Sequence, residues 1–312
     1  MTEMRMARDI YGETLVELGR KNKDIVALDA DLAGSTRTAR FGKVFPDRFF
    51  NLGVAEQNLM GVAAGLASCG KIPFASTFAI FATARAWDQI RNTICYNNLN
   101  VKIVASHAGI TIGPDGSSHQ ALEDIALTRT LPNIVIMVPC DAPETRDVIL
   151  AAAKHVGPVY VRMGRPKVPT VEGKKRFKMG EAYILREGKD ISIIACGIMV
   201  KESLDAAEIL ARFGVEARVV NMHTIKPIDK AMIIRCGKET KSIVVCEEHM
   251  ITGGLGSAVS EVLAESIPTP MQRIGVKDRF GQSGSPEDLM KEYNLTKEDI
   301  VKACRKLVKW TS

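Results

Sequence analysis

Short β-branched runs alternate with longer stretches of helical period along almost the whole chain. Residues 25–28, 49–52, 72–75, 101–105, 134–138 and 159–161 read as strands in the first half, and 191–194, 217–220 and 243–245 in the second. Near-continuous apolar strands separated by helices are the pattern of parallel βαβ units covered on both faces. The stretch 57–69 is almost wholly apolar, which predicts a buried helix. Its Gly61 and Gly65 share one face and permit close packing. Residues 142–154 form an ordinary amphipathic helix, and another begins near Gly256. The rhythm breaks at 164–180, where Pro166, Pro169, Gly173 and a basic cluster of Lys174, Lys175, Arg176 and Lys178 show neither period. The expectation is α/β: two doubly wound domains, 1–165 and a smaller one at 181–312, joined by a linker at 166–180.

A chain of 312 residues has the length for two cores, and its 46% hydrophobic and 25% charged content excludes disorder and fibres. The net charge of +6 is spread along the chain, which argues against a nucleic-acid partner and suits a phosphorylated small substrate or a solvated surface. No run reaches the ~20 apolar residues of a spanning helix and no signal core opens the chain, so a cytoplasmic protein without membrane contact is expected. Seven scattered cysteines read as buried reduced thiols. With no C-x-x-C pair and no H-E-x-x-H among five histidines, the chain builds no transition-metal site of its own.

Candidate chemistry gathers at strand ends, where open α/β sheets place their sites. The densest island runs from Ser106 to Gln120 and holds His107, Asp115, His119 and three glycines: groups that exchange protons near neutral pH beside backbone open to a ligand. In a second island Glu56 enters the apolar helix. A carboxylate there calls for a partner, and it can hold a proton and share it with a ligand nitrogen. Phe78 and Phe81 open a third helix on one shared face, placed to stack on a flat heterocycle, with Arg85 and Trp87 beyond. After the first strand, the Gly34-Ser35 turn offers N–H groups to a phosphate. Gly253-Gly254-Leu255-Gly256 imitates a dinucleotide loop, but it lacks the third glycine and the later acidic residue, and reads as a tight turn.

Taken in order, the first four islands resemble the pyrimidine-binding domain of transketolase, and the second domain resembles the transketolase C-terminal domain. The most specific strings are Gly113-Pro114-Asp115-Gly116-Ser117-Ser118-His119-Gln120 with Leu131-Pro132-Asn133, and Gly53-Val54-Ala55-Glu56-Gln57-Asn58. The resemblance implies thiamine diphosphate chemistry. Glu56 would hydrogen-bond the aminopyrimidine and drive its activation, while Phe81 would stack on that ring with Phe78 in support. His107, Asp115 and His119 would line the sugar channel, His119 moving a proton and Asp115 bonding hydroxyls. Arg8, Ser35 and Arg162 would hold the substrate phosphate.

Full-length transketolases also carry a domain that binds the diphosphate through a divalent ion, Mg²⁺ or Ca²⁺, held by a Gly-Asp-Gly motif. No Gly-Asp-Gly occurs here. The resemblance therefore implies the C-terminal subunit of a split transketolase, inactive alone and assembling as two copies of itself with two of an N-terminal subunit that holds the metal. The rival readings are the matching half of a deoxyxylulose phosphate synthase, the β subunit of a 2-oxo acid dehydrogenase, and a non-catalytic interaction subunit. The Asp-Gly-x-x-His-Gln loop speaks against the dehydrogenase, and the intact set of Glu56, Phe81, Asp115 and His119 against an idle fold.

Overall fold

The computed structural model describes residues 4–173 and 177–311; Lys174, Lys175 and Arg176 of the basic cluster lie outside the described residues. Two sheets form the frame. The strands of the described residues, in chain order, are β1 (Met4–Met6), β2 (Ile25–Asp29), β3 (Phe49–Asn51), β4 (Ile72–Ser76), β5 (Lys102–Ala105), β6 (Val135–Met137), β7 (Val159–Arg162), β8 (Lys167–Pro169), β9 (Tyr183–Arg186), β10 (Ile191–Ala195), β11 (Ala217–Asn221), β12 (Thr224–Lys226), β13 (Ile243–Met250) and β14 (Met271–Val276), of which β1 and β8 form a separate two-stranded sheet. The first sheet runs β12-β6-β7-β5-β4-β2-β3 and is parallel except at β12. The second runs β14-β13-β10-β11-β9, parallel except at β9.

Strand alternation sorts side chains to opposite faces. In β7, Val159 and Val161 join Tyr11, Phe41 and Phe74 on one side, while Tyr160 faces Leu59, Ile103 and Ile136 on the other. That second cluster continues into the other sheet through Ile194, Val220 and Val245, so one apolar core spans both sheets. The linker is more structured than its sequence predicts. Its β8 pairs antiparallel with β1, register Met4–Pro169, and β12, from the C-terminal half, closes the first sheet beside β6. Edge pairing of three residues leaves no periodic signal to read.

The strands expected from the sequence are all present, and the amphipathic helix is Ala142–Lys154. The apolar helix, Glu56–Ser68, departs from expectation. Leu59, Met60, Ala63 and Ala64 are buried, but a side chain added at Gly61 or Gly65 would meet nothing within 4 Å. The chain covers only one side of this helix. Of the seven cysteines, none of them in a disulfide, Cys69 at the end of that helix is exposed and the other six are buried. Among the described residues no helix is long and apolar enough to cross a membrane.

Candidate functional site

Strand order reverses between β2 and β4, which opens a crevice at their carboxyl ends. Asp29, buried at the end of β2, shapes one wall. Its carboxylate accepts from Leu32 N (2.6 Å), Thr36 Oγ1 (2.6 Å) and Thr38 Oγ1 (2.8 Å). Burial raises its pKa despite these bonds. The turn so formed presents Ser35, but not through N–H groups as expected: the amide of Ser35 donates to Leu32 O, and it is the Ser35 carbonyl that accepts from Arg8 Nη1 at 3.1 Å.

On the other wall, Phe78 bridges in parallel to Ser106, which ties the β4 and β5 loops together. The aromatic pair does share a face, as its three-residue spacing predicts. Phe78 stacks on Phe81 with centroids 5.7 Å apart and on His107 at 3.9 Å, and His119 meets Phe81 edge-on at 5.2 Å. Phe81 opens a π-helical segment, Phe81–Arg85. Irregular helices of this kind concentrate at functional sites.

Glu56 is 4% exposed and its carboxylate has found a partner: Arg85 Nη1 lies 3.0 Å from Oε1. The same guanidinium lies over Phe81, 3.9 Å from the ring centroid. One planar, N–H-bearing group thus stacks on Phe81 and donates to Glu56 at once. Arg85 went unassigned in the sequence, although it stands four residues beyond Phe81, one helical turn away.

His107 sits in the left-handed region (φ 60°), 2% exposed. Its Nε2 lies 3.3 Å from Arg8 Nη1 and its Nδ1 2.8 Å from Ser106 Oγ. A guanidinium only donates, so Nε2 accepts and Nδ1–H points to Ser106. Burial, then Arg8, Arg165, Arg37 and His119, push its pKa down to about 3. It is therefore no proton exchanger near neutral pH, contrary to the expectation for both loop histidines. His119 keeps a freer position, half-buried, with Nδ1 3.0 Å from Ser118 Oγ.

Arg8, Ser35 and His107 come together, and Arg8 Nε is buried without a protein partner. Arg162 does not join them. It is 5% exposed and its donors are spent on Asp124 Oδ2 (2.8 Å), Ala121 O (3.1 Å) and Glu248 O (2.9 Å). Its guanidinium is a buried cross-brace held by the Asp124 carboxylate. The cation that faces the loop is Arg165, three residues later, which lies 3.9 Å from exposed Asp115 and donates to Ile112 O. Arg37, bonded to Asp9 at 2.8 Å, adds a further positive charge near Arg8 and His107. The choice between Arg162 and Arg165 has no signature in sequence, because one ends β7 and the other lies just beyond it.

The glycine turn at 253–256 is filled from within. Glu247 Oε2 accepts from Leu255 N at 2.7 Å and its Oε1 from Gly256 N at 2.8 Å, so a protein carboxylate takes the place of a phosphate. The reading as a tight turn stands. Among the described residues no group of three or more His, Cys, Asp or Glu is arranged to hold a metal ion.

Residues 3–170 match the family profile described as transketolase, pyrimidine binding domain, and residues 180–300 that of transketolase, C-terminal domain. A putative transketolase C-terminal section from Methanocaldococcus jannaschii is 52% identical over 94% of this chain and 93% of its own length. A 6-deoxy-6-sulfo-D-fructose transketolase subunit of a Clostridium species is 42% identical over 98% and 95%. A 1-deoxy-D-xylulose-5-phosphate synthase of Caldanaerobacter subterraneus is 38% identical over 94% of this chain but only 47% of its own length. Among solved structures, a split-gene transketolase described as an inactive β4 tetramer superposes with a TM-score of 0.91 at 52% identity, over 97% of this chain and 98% of its own. Transketolase from Leishmania mexicana, at 24% identity, shares the fold with a TM-score of 0.84 over 99% of this chain and 46% of its own.

Proposed function

The chain belongs to the transketolase family, and from that membership we propose that it is the C-terminal subunit of a two-chain transketolase. It transfers a two-carbon ketol unit between sugar phosphates in the cytoplasm, and only when joined to a subunit that holds the diphosphate of thiamine diphosphate and its divalent ion. One observation carries this reading: Glu56 and Phe81 at one end, and Arg8, His107, Asp115 and Arg165 at the other, are joined by the continuous ring stack Phe81–Phe78–His107, with His119 edge-on to Phe81. A site for a flat heterocycle thus adjoins a site for an anionic sugar. Arg85 supports the fit as a stand-in, since its planar guanidinium already bonds Glu56 and stacks on Phe81.

When bound, thiamine diphosphate supplies the carbon nucleophile that opens the bond beside a ketose carbonyl. This chain's residues do the rest of their half. Glu56 exchanges a proton with the pyrimidine nitrogen, and Phe81, backed by Phe78, gives that ring its stacking face. Arg8, Ser35, Arg37 and Arg165 hold the sugar phosphate, Arg165 rather than the buried Arg162 supplying the cation after β7. His107, neutral and fixed by Arg8, orients the sugar, Asp115 accepts from its hydroxyls, and His119 moves a proton at its reacting end. Relatives described as a transketolase section or subunit, and matched over more than nine-tenths of their length, support a partner chain.

The test is hydrogen–deuterium exchange at the thiazolium carbon in the chain mixed with its partner. Glu56→Gln preserves shape and removes the shared proton, and exchange falls by at least ~10²-fold. Unchanged exchange would reduce Glu56 to a helix-start residue. The likeness to deoxyxylulose phosphate synthase favours a second reading in which pyruvate is the donor. Turnover of pyruvate in place of ketose phosphates by the same mixture decides between them.

A further inference from the structure

The second sheet reverses its strand order between β10 and β13, so its own crevice lies at the carboxyl ends of those two strands. Ligands usually enter there. In this chain the end of β13 is instead packed against the loop that begins at Ser106 and the first turn of the helix Asp124–Arg129 in the first domain. Three consecutive residues make the contact. Glu248 Oε1 accepts from Thr111 N at 2.6 Å, the His249 ring nitrogen Nε2 accepts from Ala126 N at 3.3 Å, and Met250 N donates to Leu122 O at 2.8 Å.

Glu248 makes the most intimate of these contacts. Its side chain is buried, and a Cβ at Gly109 (φ +81°) would lie 2.2 Å from its Cδ and 2.3 Å from Oε1. The carboxylate therefore occupies the volume that a side chain at position 109 would need. It faces the amides that open the short helical turn Ile110–Ile112. Arg162 pins the same region from below by donating to the Glu248 and Ala121 carbonyls. Gly109 N donates to Ala121 O at 3.0 Å, so the loop is pinched at 109 and 121, and Asp115 and His119 lie on the lobe between. On the far side of that lobe Gln120 Nε2 donates to Gln282 O at 2.9 Å and Ser283 Oγ to Pro114 O at 2.6 Å. The lobe is thus held from both flanks by the second domain.

We propose that Glu248 is a positioning residue for sugar binding. From the second domain it fixes the neck of the loop, and with it the places of His107, Asp115 and His119 relative to one another, without touching the substrate. The second domain then acts in the reaction as the template of the sugar channel. This rests on reading 106–120 as the sugar-binding loop.

The experiment compares Glu248→Ala, Glu248→Asp and Glu248→Gln in the chain combined with its partner subunit, with His119→Ala as control. Glu248→Ala leaves buried amides without an acceptor and is expected to raise KM for the ketose phosphate about tenfold, with the dissociation constant for thiamine diphosphate unchanged within about twofold. Glu248→Gln, which keeps an oxygen facing Thr111, is expected to restore most of the loss. Glu248→Asp, one methylene short of the amides, shows the same KM effect if the alanine variant fails to fold. An unchanged KM in a folded variant, an equal loss of cofactor affinity, or a glutamine variant no better than alanine would overturn the proposal. Normal sugar KM in His119→Ala would remove the loop's role altogether, and this proposal with it.

Discussion

At the scale of single residues, two arginines on one strand end have opposite duties. Arg162 lies in the core against Asp124, with Tyr160 OH bonded to the same carboxylate at 2.6 Å. Arg162→Ala would leave a buried acid without its cation, and a loss of about 3–5 kcal/mol in urea denaturation is expected. Arg165 is 37% exposed, so Arg165→Ala should leave stability nearly unchanged and weaken sugar phosphate binding about tenfold, as read from KM. Equal stability losses in both would undo the assignment. His107 is a second residue whose duty burial decides. Its folded pKa is depressed below the unfolded value, so the unfolded chain binds the extra proton first. The resulting stability is complete above about pH 6.5 and is lost as pH falls towards about 3. NMR of the ring should show a neutral imidazole with the proton on Nδ1 at pH 5, where an ordinary histidine is charged. Replacing it by asparagine should flatten the acid limb of the stability profile.

At the scale of elements, the strand–loop–helix joint at β13 shows how one dipeptide serves two ends. Glu247 turns back to cap the helix Leu255–Ser266, while Glu248 crosses to the other domain. Gly254 is required by the first contact, since a Cβ there would lie 2.0 Å from Glu247 Oε2. Glu247→Ala removes the acceptor of two buried amides at a helix start and should cost about 2 kcal/mol, seen as a lower thermal midpoint. An unchanged midpoint would mean that water replaces the carboxylate. The helix Glu56–Ser68 teaches a different lesson. Its apolar composition announced burial, but a helix is buried only on the faces that something covers, and its glycine face is open within this chain.

For the whole molecule, the half-site geometry sets the expected behaviour of the isolated chain. Glu56 and Phe81 offer a pyrimidine one hydrogen bond and one stacking face, each worth about 1 kcal/mol net, and ~2 kcal/mol corresponds to a dissociation constant far weaker than millimolar. Arg85 already occupies both contacts, which lowers the gain further. Calorimetric titration of the chain with thiamine diphosphate and Mg²⁺ should therefore show no binding until the partner subunit is added. Tight binding by the chain alone would require a diphosphate site of its own and would sink the two-chain reading. Sedimentation of the mixture checks the assembly, with two copies of each chain expected and a lone monomer beside its partner excluding it.

Much of the candidate site was legible in the sequence because the carboxyl ends of the strands in a parallel sheet lie along one edge. Once the apolar runs fixed the strands, Glu56, Phe78, Phe81, His107, Asp115 and His119 had to face one edge, and they do. Local composition also disclosed the parallel architecture and the tight glycine turn. Contacts between distant segments were decided by tertiary structure alone. Side-chain direction at the end of β7 placed Arg162 in the core and Arg165 at the loop, burial beside three arginines removed His107 from proton exchange, and chain reversal brought Glu248 against Gly109 across more than a hundred residues. The physical reason is one of range. Periodicity encodes which face of an element is apolar, whereas the protonation state and duty of a charged group depend on desolvation and on neighbours that only the folded chain brings near.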